Sequence, residues 1–194
     1  MIPRTMPLPL AATDSLSCRR MHQGDLDRVM KTEVEIYPFP WTRTNFSDSI
    51  AAGHEGWLVE VAREQAGGQA GGPAGAPPPL VGYAVLMWVL DEVHLLNLSV
   101  AANRQGAGLG RWLLEWLCAG CEARGARSML LEVRPSNPRA VLLYESAGFS
   151  RIGERRGYYP AGEGKREDAI VMRRALAGSD EADPVPIPSA RSAR

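Results

Sequence analysis

The sequence lacks the features that mark membrane, secreted and polyanion-binding proteins. No apolar run approaches the ~20 residues that a membrane span needs, and three prolines interrupt the first ten residues, where a signal peptide would need a continuous apolar core. Lysine plus arginine and aspartate plus glutamate both total 22, so the formal net charge is zero. Bulk charge therefore favours neither nucleic acid nor a membrane as a partner, and we expect a cytoplasmic protein.

Cysteine is also scarce, because three residues are too few for a disulfide scaffold. Cys118 and Cys121 have the Cys-x-x-Cys spacing that redox pairs and half zinc sites share. Redox pairs lie at helix N-termini, where the thiolate is stabilised, but this pair falls late in a predicted helix, on the same stripe as Leu114 and Leu117. No second Cys or His pair has metal-ligand spacing. We predict two small core residues and no metal site.

The remaining composition is that of one globular domain. The chain has 194 residues, of which 45% are apolar, and this is enough for one core. We predict a disordered leader over residues 1–15, a folded domain over 16–176 and a polar, disordered tail over 177–194. Glycine, alanine and proline dominate residues 65–79 and cannot build a core, so this segment is predicted to be a disordered hairpin loop.

Apolar periodicity and capping residues predict the order of the elements. Asp25 is placed to cap a helix that reaches Ile36, and Thr42 starts a second helix. The other predicted elements are strands at 16–21, 57–62, 80–90 and 94–100, a helix ending near 124–125, a strand at 129–133, a helix from Asn137 to Gly148, a strand from Phe149, a turn at 158–160 and a strand at 168–172. This order predicts a mixed α/β domain, a central mixed sheet with helices on both faces.

The most informative segment is Gln-Gly-Ala-Gly-Leu-Gly-Arg at residues 105–111, between a predicted strand and a predicted helix. Its three glycines let several backbone N–H groups point into one small space, and the helix N-terminus adds partial positive charge there. These features predict a pyrophosphate cradle built from the main chain. A P-loop would need Lys-Ser/Thr where Arg111 and Trp112 stand, and the glycine spacing does not fit the Gly-x-Gly-x-x-Gly dinucleotide fingerprint.

The pattern Gln-x-x-Gly-x-Gly at 105–110 resembles the phosphate-binding segment of the GNAT acyl-CoA N-acyltransferases. Further motifs are similar to the bacterial ribosomal-protein-alanine N-acetyltransferases within that group: Phe-Pro-Trp at 39–41, Val-Leu-Asp-Glu at 89–92, Leu-Asn-Leu-Ser-Val at 96–100, Leu-Glu-Val-Arg at 131–134, Ser-Asn at 136–137, Leu-Tyr-Glu-Ser-Ala-Gly-Phe at 143–149, Arg-Arg-Gly-Tyr-Tyr-Pro at 155–160 and Glu-Asp-Ala-Ile-Val-Met at 167–172. The chain departs from the family pattern at Ala101 and Ala102, at Pro138, at Gly157, where an Asn is common, and in its glycine-rich insertion.

The resemblance implies a GNAT fold and acetyl-CoA as co-substrate, held without a metal across a splayed strand. The acyl and pantetheine part would meet the main chain of Leu98, Ser99 and Val100. The pyrophosphate would meet Gly106, Ala107, Gly108, Leu109, Gly110 and Arg111. Asn137 would reach the pantetheine arm, although its place in the sequence is equally that of a helix cap. The acceptor would lie against Trp41, Tyr158 and Tyr159.

The resemblance further implies that Glu132 is the general base and Tyr144 the general acid. The chemistry needs such a pair, because the amine loses a proton to attack a thioester and the departing thiolate gains one. Neutralising an α-amino group of pKa about 7.7–8.0 costs about 1 kcal/mol near pH 7, whereas a lysine near 10.4 costs roughly 4.6 kcal/mol. A modest base is therefore sufficient for an N-terminal substrate. Without the resemblance, Glu132 is a charged residue at a sheet end and Tyr144 a core aromatic.

Three functions follow from these residues. The first is acetylation of the N-terminal alanine of a small-subunit ribosomal protein, with the protein's N-terminus as peptide substrate. The second keeps acetyl-CoA but changes the acceptor to a lysine side chain, a polyamine or a drug amine. The third is a non-catalytic acyl-CoA module, against which Glu132 and Tyr144 argue. Glu33 and Glu35 are candidates to meet a basic second residue of the peptide, or are solvated helix residues. The sequence indicates no oligomeric state.

Overall fold

The computed structural model describes residues 15–62 and 77–176, and the following description is confined to them. Seven strands form one sheet in the order β1-β2-β3-β4-β5-β7-β6. The strands are β1 (Leu16–Arg20), β2 (Glu55–Val61), β3 (Leu80–Val89), β4 (Glu92–Val100), β5 (Ser128–Val133), β6 (Ser150–Pro160) and β7 (Arg166–Ala175). The helices are α1 (Leu26–Ile36), α2 (Arg43–Ala51), α3 (Leu109–Glu122) and α4 (Pro138–Ser146). Most of the predicted leader, the predicted tail and residues 65–76 of the predicted loop lie outside the described residues.

The sheet is mixed, as the order of elements predicted. β4 and β5 are parallel, and the other neighbouring strands are antiparallel. Side chains alternate between the two faces of a strand, and on β3 Tyr83 and Val85 belong to one core cluster while Ala84 and Leu86 belong to the other. Residues of α1 and α2 complete the first cluster and residues of α3 and α4 the second, so helices cover both faces.

Helix α3 carries most of the larger core. It buries Leu113, Leu114 and Leu117 at no more than 1% exposure, which fits a helix packed flat on a sheet. Cys118 and Cys121 lie on this buried side as well, as predicted, and burial raises the pKa of each thiol to about 12. Thiols so protonated are poor nucleophiles and poor metal ligands.

The prediction that Asp25 caps α1 is wrong in its chemistry. Asp25 precedes the helix, but its carboxylate accepts the backbone N–H of His22 at 2.8 Å and two hydrogen bonds from the Arg19 guanidinium at 2.8 and 2.7 Å. Arg19 also donates to Glu60, which pairs with Arg28 of α1. Charge-assisted bonds are stronger than a neutral cap bond, so the carboxylate is used to join β1, β2 and α1.

The predicted turn at residues 158–160 is also wrong, because these residues form the end of β6. The strand pairs Arg155 with Ala169 and Tyr159 with Glu167, so that the extra residues of β6 form a wide bulge. Gly157 lies in this bulge with φ of +55°, a conformation that glycine and asparagine adopt most readily, which explains why glycine can replace the family's asparagine. The chain reverses later, between Ala161 and Lys165.

Within residues 15–62 and 77–176, no helix is long and apolar enough to cross a membrane.

The end of the predicted loop is anchored to the domain. The carbonyl of Pro79 accepts the N–H of Val61 at 3.0 Å, and the carbonyl of Pro78 accepts a hydrogen bond from the Arg28 guanidinium.

We expect residues 65–76 to be replaceable by a short turn that keeps Pro77–Pro79. Loop-closure entropy changes slowly with loop length, so the free energy of unfolding should change by about 1 kcal/mol or less. Thermal melting and acetylation rates of the shortened and full-length proteins test this. A large loss of either quantity would show that the insertion packs onto the domain.

Candidate active site

The site begins where β4 and β5 part. The two strands pair over only four residue pairs, from Glu92 with Ser128 to Leu95 with Leu131. A bulge in β4 follows at once, since Leu95 pairs with Leu86 of β3 but Asn97 pairs with Val85. Beyond the bulge, β4 continues along β3 and β5 continues along β7, with no strand of the described chain between them. The resulting wedge is open along one edge of Leu98, Ser99 and Val100, as the resemblance implied.

The predicted phosphate cradle lies at the mouth of this wedge. Gly106 and Gly108 have φ of +85° and +78°, in the left-handed region that side chains disfavour. Gly108 is the N-cap of α3 and its carbonyl accepts the N–H of Trp112 at 3.0 Å. The first N–H groups of α3 therefore have no acceptor within the helix. Such a helix start suits an anion, and the arrangement fits a pyrophosphate.

Gly110 belongs to the same helix start but serves packing. A Cβ built on it would lie 3.6 Å from Leu143 and 3.8 Å from Val100, both ordinary van der Waals distances. A side chain at this position would therefore point toward α4 and β4, and only the main chain of Gly110 faces the cradle. Leu109 is buried in the core and Ala107 packs against it, so these two residues also offer the cradle their main chain.

The cationic side chain nearest the cradle glycines belongs to Arg139, whereas Arg111 can offer the cradle only its main chain. The guanidinium of Arg111 turns away and donates to the hydroxyl and the carbonyl of Ser146, each at 2.9 Å, which ties the start of α3 to the end of α4. Arg139 lies over the glycines instead: it donates to Gln105 at 3.1 Å, and its Nη2 would be 3.8 Å from a Cβ on Gly106. The sequence feature that could have identified Arg139 as a cradle residue was its position in the first turn of α4.

Asn137 performs the capping role that its position predicted. Its side-chain oxygen accepts the N–H of Ala140 at 3.1 Å at the start of α4. The amide NH₂ of Asn137 makes no hydrogen bond within residues 15–62 and 77–176, so this donor is available to a pantetheine arm in the wedge. The two roles considered for this residue are therefore compatible.

Glu132 and Tyr144 both lie near Tyr159. Glu132, on β5, forms an ion pair with Arg155 through Oε1 at 3.1 Å, and the Glu132 side chain is 17% exposed. Burial, and then the charge of Glu132, raise the pKa of the neighbouring Tyr159. Burial, and then the proximity of Tyr37 and Tyr159, raise the pKa of Tyr144. A phenol with a raised pKa stays protonated at neutral pH, so Tyr144 is not a base there.

The outer wall of the site stacks aromatic rings with arginines. The Arg134 guanidinium lies 4.2 Å from the ring centre of Tyr159 and 5.3 Å from that of Phe39. Tyr158 packs edge-on against Tyr159 at 4.9 Å and lies beside Arg155. Tyr158 and Phe39 are about 40% exposed, so both rings are accessible to an acceptor.

Two other residues of interest lie deeper than the sequence suggested. The ring of Trp41 packs 5.1 Å from that of Phe46 in the smaller core, so any contact of Trp41 with an acceptor would come from its partly buried edge. Glu33 is 1% exposed and therefore does not meet the side chain of an incoming peptide, whereas Glu35 is exposed. Phe39 is the member of the Phe-Pro-Trp motif that reaches the outer wall.

Sequence reasoning missed Tyr37, whose hydroxyl hydrogen-bonds Ser99 Oγ at 2.9 Å and the carbonyl of Leu98 at 3.2 Å. Tyr37 comes from the end of α1, far from β4 in the chain, and only the fold brings the two together. Arg134 and Arg155 were also missed: the sequence motifs assigned them no role, and only the fold brings them against the aromatic rings.

This arrangement, with a wedge between parallel strands and a glycine cradle at its mouth, is that of an N-acyltransferase. The acetyltransferase (GNAT) family matches residues 26–149, and the chain belongs to this family.

The chain is 37% identical over 148 residues to the [ribosomal protein bS18]-alanine N-acetyltransferase of Escherichia coli, covering 76% of this chain and 89% of that protein. It is 41% identical over 150 residues to the enzyme of the same name from Haemophilus ducreyi, covering 77% and 93%. The crystal structure of the E. coli ribosomal-protein-S18-alanine N-acetyltransferase superposes with a TM-score of 0.70 at 32% identity, over 88% of this chain and all of that one.

The fold also extends to more distant enzymes. Arabidopsis thaliana NAA60 in complex with acetyl-CoA superposes with a TM-score of 0.69 at 18% identity, over 84% of this chain and all of that one. At this identity the likeness shows the fold alone. Within the described residues, no group of three or more His, Cys, Asp or Glu side chains could hold a metal ion.

We expect Gly108→Ala to weaken acetyl-CoA binding by about tenfold or more, because a Cβ disfavours the left-handed backbone that orients the cradle N–H groups. Gly125→Ala is the matched control: Gly125 also has a positive φ, of +89°, but closes α3 at its other end with open space around it. Both variants should lose similar stability, and calorimetry should show weaker binding only for Gly108→Ala. Equal affinity in both would remove Gly108 from the site.

Proposed function

We propose that this protein transfers the acetyl group of acetyl-CoA to the α-amino group of an N-terminal alanine on a small-subunit ribosomal protein, in the cytoplasm. The observation that carries the proposal is the outer wall, where Phe39, Tyr158 and Tyr159 stack on Arg134 and Arg155, and Arg155 in turn pairs with Glu132. Aromatic rings can hold the end of a peptide chain without requiring charges on it. The names of the relatives that align over most of the chain support the same acceptor.

The charges of the wall disfavour a polyamine. Glu132 pairs with Arg155, and Glu167 pairs with Arg134 at 3.2 Å and accepts two bonds from Ser136 at 2.7 and 2.9 Å. Burial alone would raise the pKa of Glu167, but these bonds hold it below its usual range. Extra ammonium groups of a polyamine would therefore meet arginines rather than unpaired acids, and like charges brought together are unfavourable.

In the proposed reaction, the main chain of the cradle and the open edge of β4 hold acetyl-CoA with its thioester in the wedge. Glu132 accepts the proton that the amine loses as its nitrogen forms the bond to the acetyl carbon. Tyr144 donates its phenolic proton to the sulfur as the carbon–sulfur bond breaks. A peptide amine is already partly neutral near pH 7, so correct placement of the amine supplies much of the rate.

An acceptor panel tests the proposal. Purified protein and acetyl-CoA are offered peptides that begin with Ala-Arg, Ser-Arg, Gly-Arg or Met-Arg, an N-blocked lysine peptide, spermidine and an aminoglycoside, and mass spectrometry locates the acetyl group. We expect the α-amino group of the Ala peptide to react fastest, with smaller amounts on Ser and Gly, because the relatives that align over most of the chain are named for an N-terminal alanine. Preferential modification of the blocked lysine or of spermidine would refute the N-terminal acceptor.

We expect Glu132→Gln and Tyr144→Phe each to lower kcat by about 10²–10⁴-fold with little change in acetyl-CoA binding, as for a lost base or acid. The loss in Glu132→Gln should shrink at high pH, where the amine is already neutral, while the loss in Tyr144→Phe should not. Rate–pH profiles between pH 6 and 10 distinguish the two. Full activity of Glu132→Gln at neutral pH would place the base elsewhere.

A further inference from the structure

Helix α1 buries a carboxylate that the proposed mechanism does not use. Glu33 is 1% exposed, and no cation of the described residues forms an ion pair with it. Its Oε1 accepts the backbone N–H of Trp41 at 2.8 Å, its Oε2 accepts the hydroxyl of Tyr83, and the side chain of Asn97 lies nearby and favours the charged form. A buried carboxylate is costly without partners, so two neutral donors bonded to this one indicate a specific role.

Asn97 belongs to a second group of hydrogen bonds, at the open edge of β4. Ser99 Oγ donates to Asn97 Oδ1 at 3.0 Å, and the Tyr37 hydroxyl lies 2.9 Å from Ser99 Oγ. The Tyr37 hydroxyl has one hydrogen and also bonds the carbonyl of Leu98 at 3.2 Å, so either Tyr37 or Ser99 can be the donor between them. The side chain of Asn97 in turn lies near Glu33, where it opposes the rise that burial causes in the pKa of Glu33. Hydrogen-bonded side chains polarise one another, and such networks are stronger than their separate bonds.

The two groups of hydrogen bonds join the two sides of the reaction. Asn97, Leu98 and Ser99 are the part of β4 that opens away from β5 and faces the thioester in the proposed function. Tyr37 and Trp41 bracket the segment that carries Phe39 to the outer wall. Glu33 contacts both, through Asn97 on one side and the Trp41 main chain on the other.

We propose that Glu33 is a positioning residue that sets the distance between the acceptor segment, residues 37–42, and the open edge of β4. This inference rests on the proposed function of the wedge and adds to it a residue that touches neither substrate. Burial raises the pKa of Glu33, although the bonds from Tyr83, Trp41 and Asn97 oppose the shift. The geometry requires an acceptor for the Trp41 N–H and a partner for the Tyr83 hydroxyl.

Glutamine can meet both requirements. Its oxygen can accept the Trp41 N–H, and its amide can donate to the Tyr83 hydroxyl, which is able to reverse its own hydrogen bond. Alanine meets neither requirement. Glu35 lies two residues further along α1 and is exposed, so Glu35→Ala changes the same helix and the same charge without touching the network. It is the control for melting and hydrogen exchange only, because Glu35 is also a candidate partner for a basic peptide residue and its loss can change the rate.

The experiment compares Glu33→Ala, Glu33→Gln, Tyr83→Phe and Glu35→Ala in steady-state acetylation, thermal melting and backbone hydrogen exchange. We expect Glu33→Ala to lower kcat by about 10²-fold, since misplacement of about 1 Å has that effect, and to leave the KM for acetyl-CoA within about threefold. Glu33→Gln should recover most of the rate, and Tyr83→Phe should fall between them. The Trp41 backbone amide should exchange its hydrogen faster in Glu33→Ala, and its exchange rate should be unchanged in Glu35→Ala.

Two results would overturn the inference. One is an unchanged kcat in a folded Glu33→Ala protein. The other is a parallel loss of kcat, acetyl-CoA affinity and stability that Gln does not rescue, which would indicate a general packing role. The ratio of the variant's kcat to the parent's kcat is measured with whichever amine the parent acetylates fastest. An unexpected acceptor would therefore refute the proposed substrate while the ratio still decides the role of Glu33.

Discussion

The short pairing of β4 with β5 is the constraint on which the rest of the molecule depends. Strand neighbours satisfy each other's main-chain groups, and an opened edge needs other partners. Here the protein supplies some of them: Tyr37 bonds the carbonyl of Leu98, and the Gln105 side chain bonds that of Val100 at 3.0 Å. A ligand with amide groups along an extended arm can pair with the rest in the manner of an added strand, and pantetheine is such an arm.

The wedge also decides which acids and bases are available. Its inner side is filled by phenols, and burial raises the pKa values of Tyr37 and Tyr144 alike. A raised pKa keeps these phenols protonated at neutral pH, which excludes them as bases but also makes them weaker acids. Glu132 lies on β5 with its carboxylate partly exposed. In the proposed function Tyr144 is therefore the donor and Glu132 the acceptor, and close placement of Tyr144 beside the sulfur has to compensate for its weak acidity.

The parts that could be predicted from sequence are those that local rules determine. The glycines of the cradle, the Asn137–Pro138 helix start and the buried stripe of α3 each depend on residues within one or two turns of chain. The errors arose where distant partners competed. Arg19 and the backbone of His22 bind the carboxylate of Asp25. The Gly-Tyr-Tyr-Pro segment, which locally resembles a turn, instead continues β6: its first two residues lie in a bulge and its last two pair with β7.

Glu33 is the clearest case of a residue whose environment could not be predicted from the sequence, and the reason is physical. A glutamate between Thr32 and Val34 on an amphipathic helix is typical of a solvated face, and nothing nearby in the sequence signals burial. Its partners lie 8, 50 and 64 positions away, as residues 41, 83 and 97 show. Only the packing of α1 across β3 and β4 brings them together, so sequence periodicity could not identify the network.

These features share one way of handling charge. The cradle presents main-chain dipoles with the single guanidinium of Arg139 beside them, the network around Glu33 uses neutral donors, and Glu132 and Glu167 at the outer wall are paired with arginines. Dipoles fixed by the fold need no reorganisation when charge develops during reaction, which explains how a chain of zero formal net charge can bind a polyanionic co-substrate. It also follows that selectivity for the acceptor rests on shape and on the proton affinity of the amine. An α-amino group at the end of a peptide meets both conditions, because it loses its proton readily and presents a narrow chain to the aromatic wall.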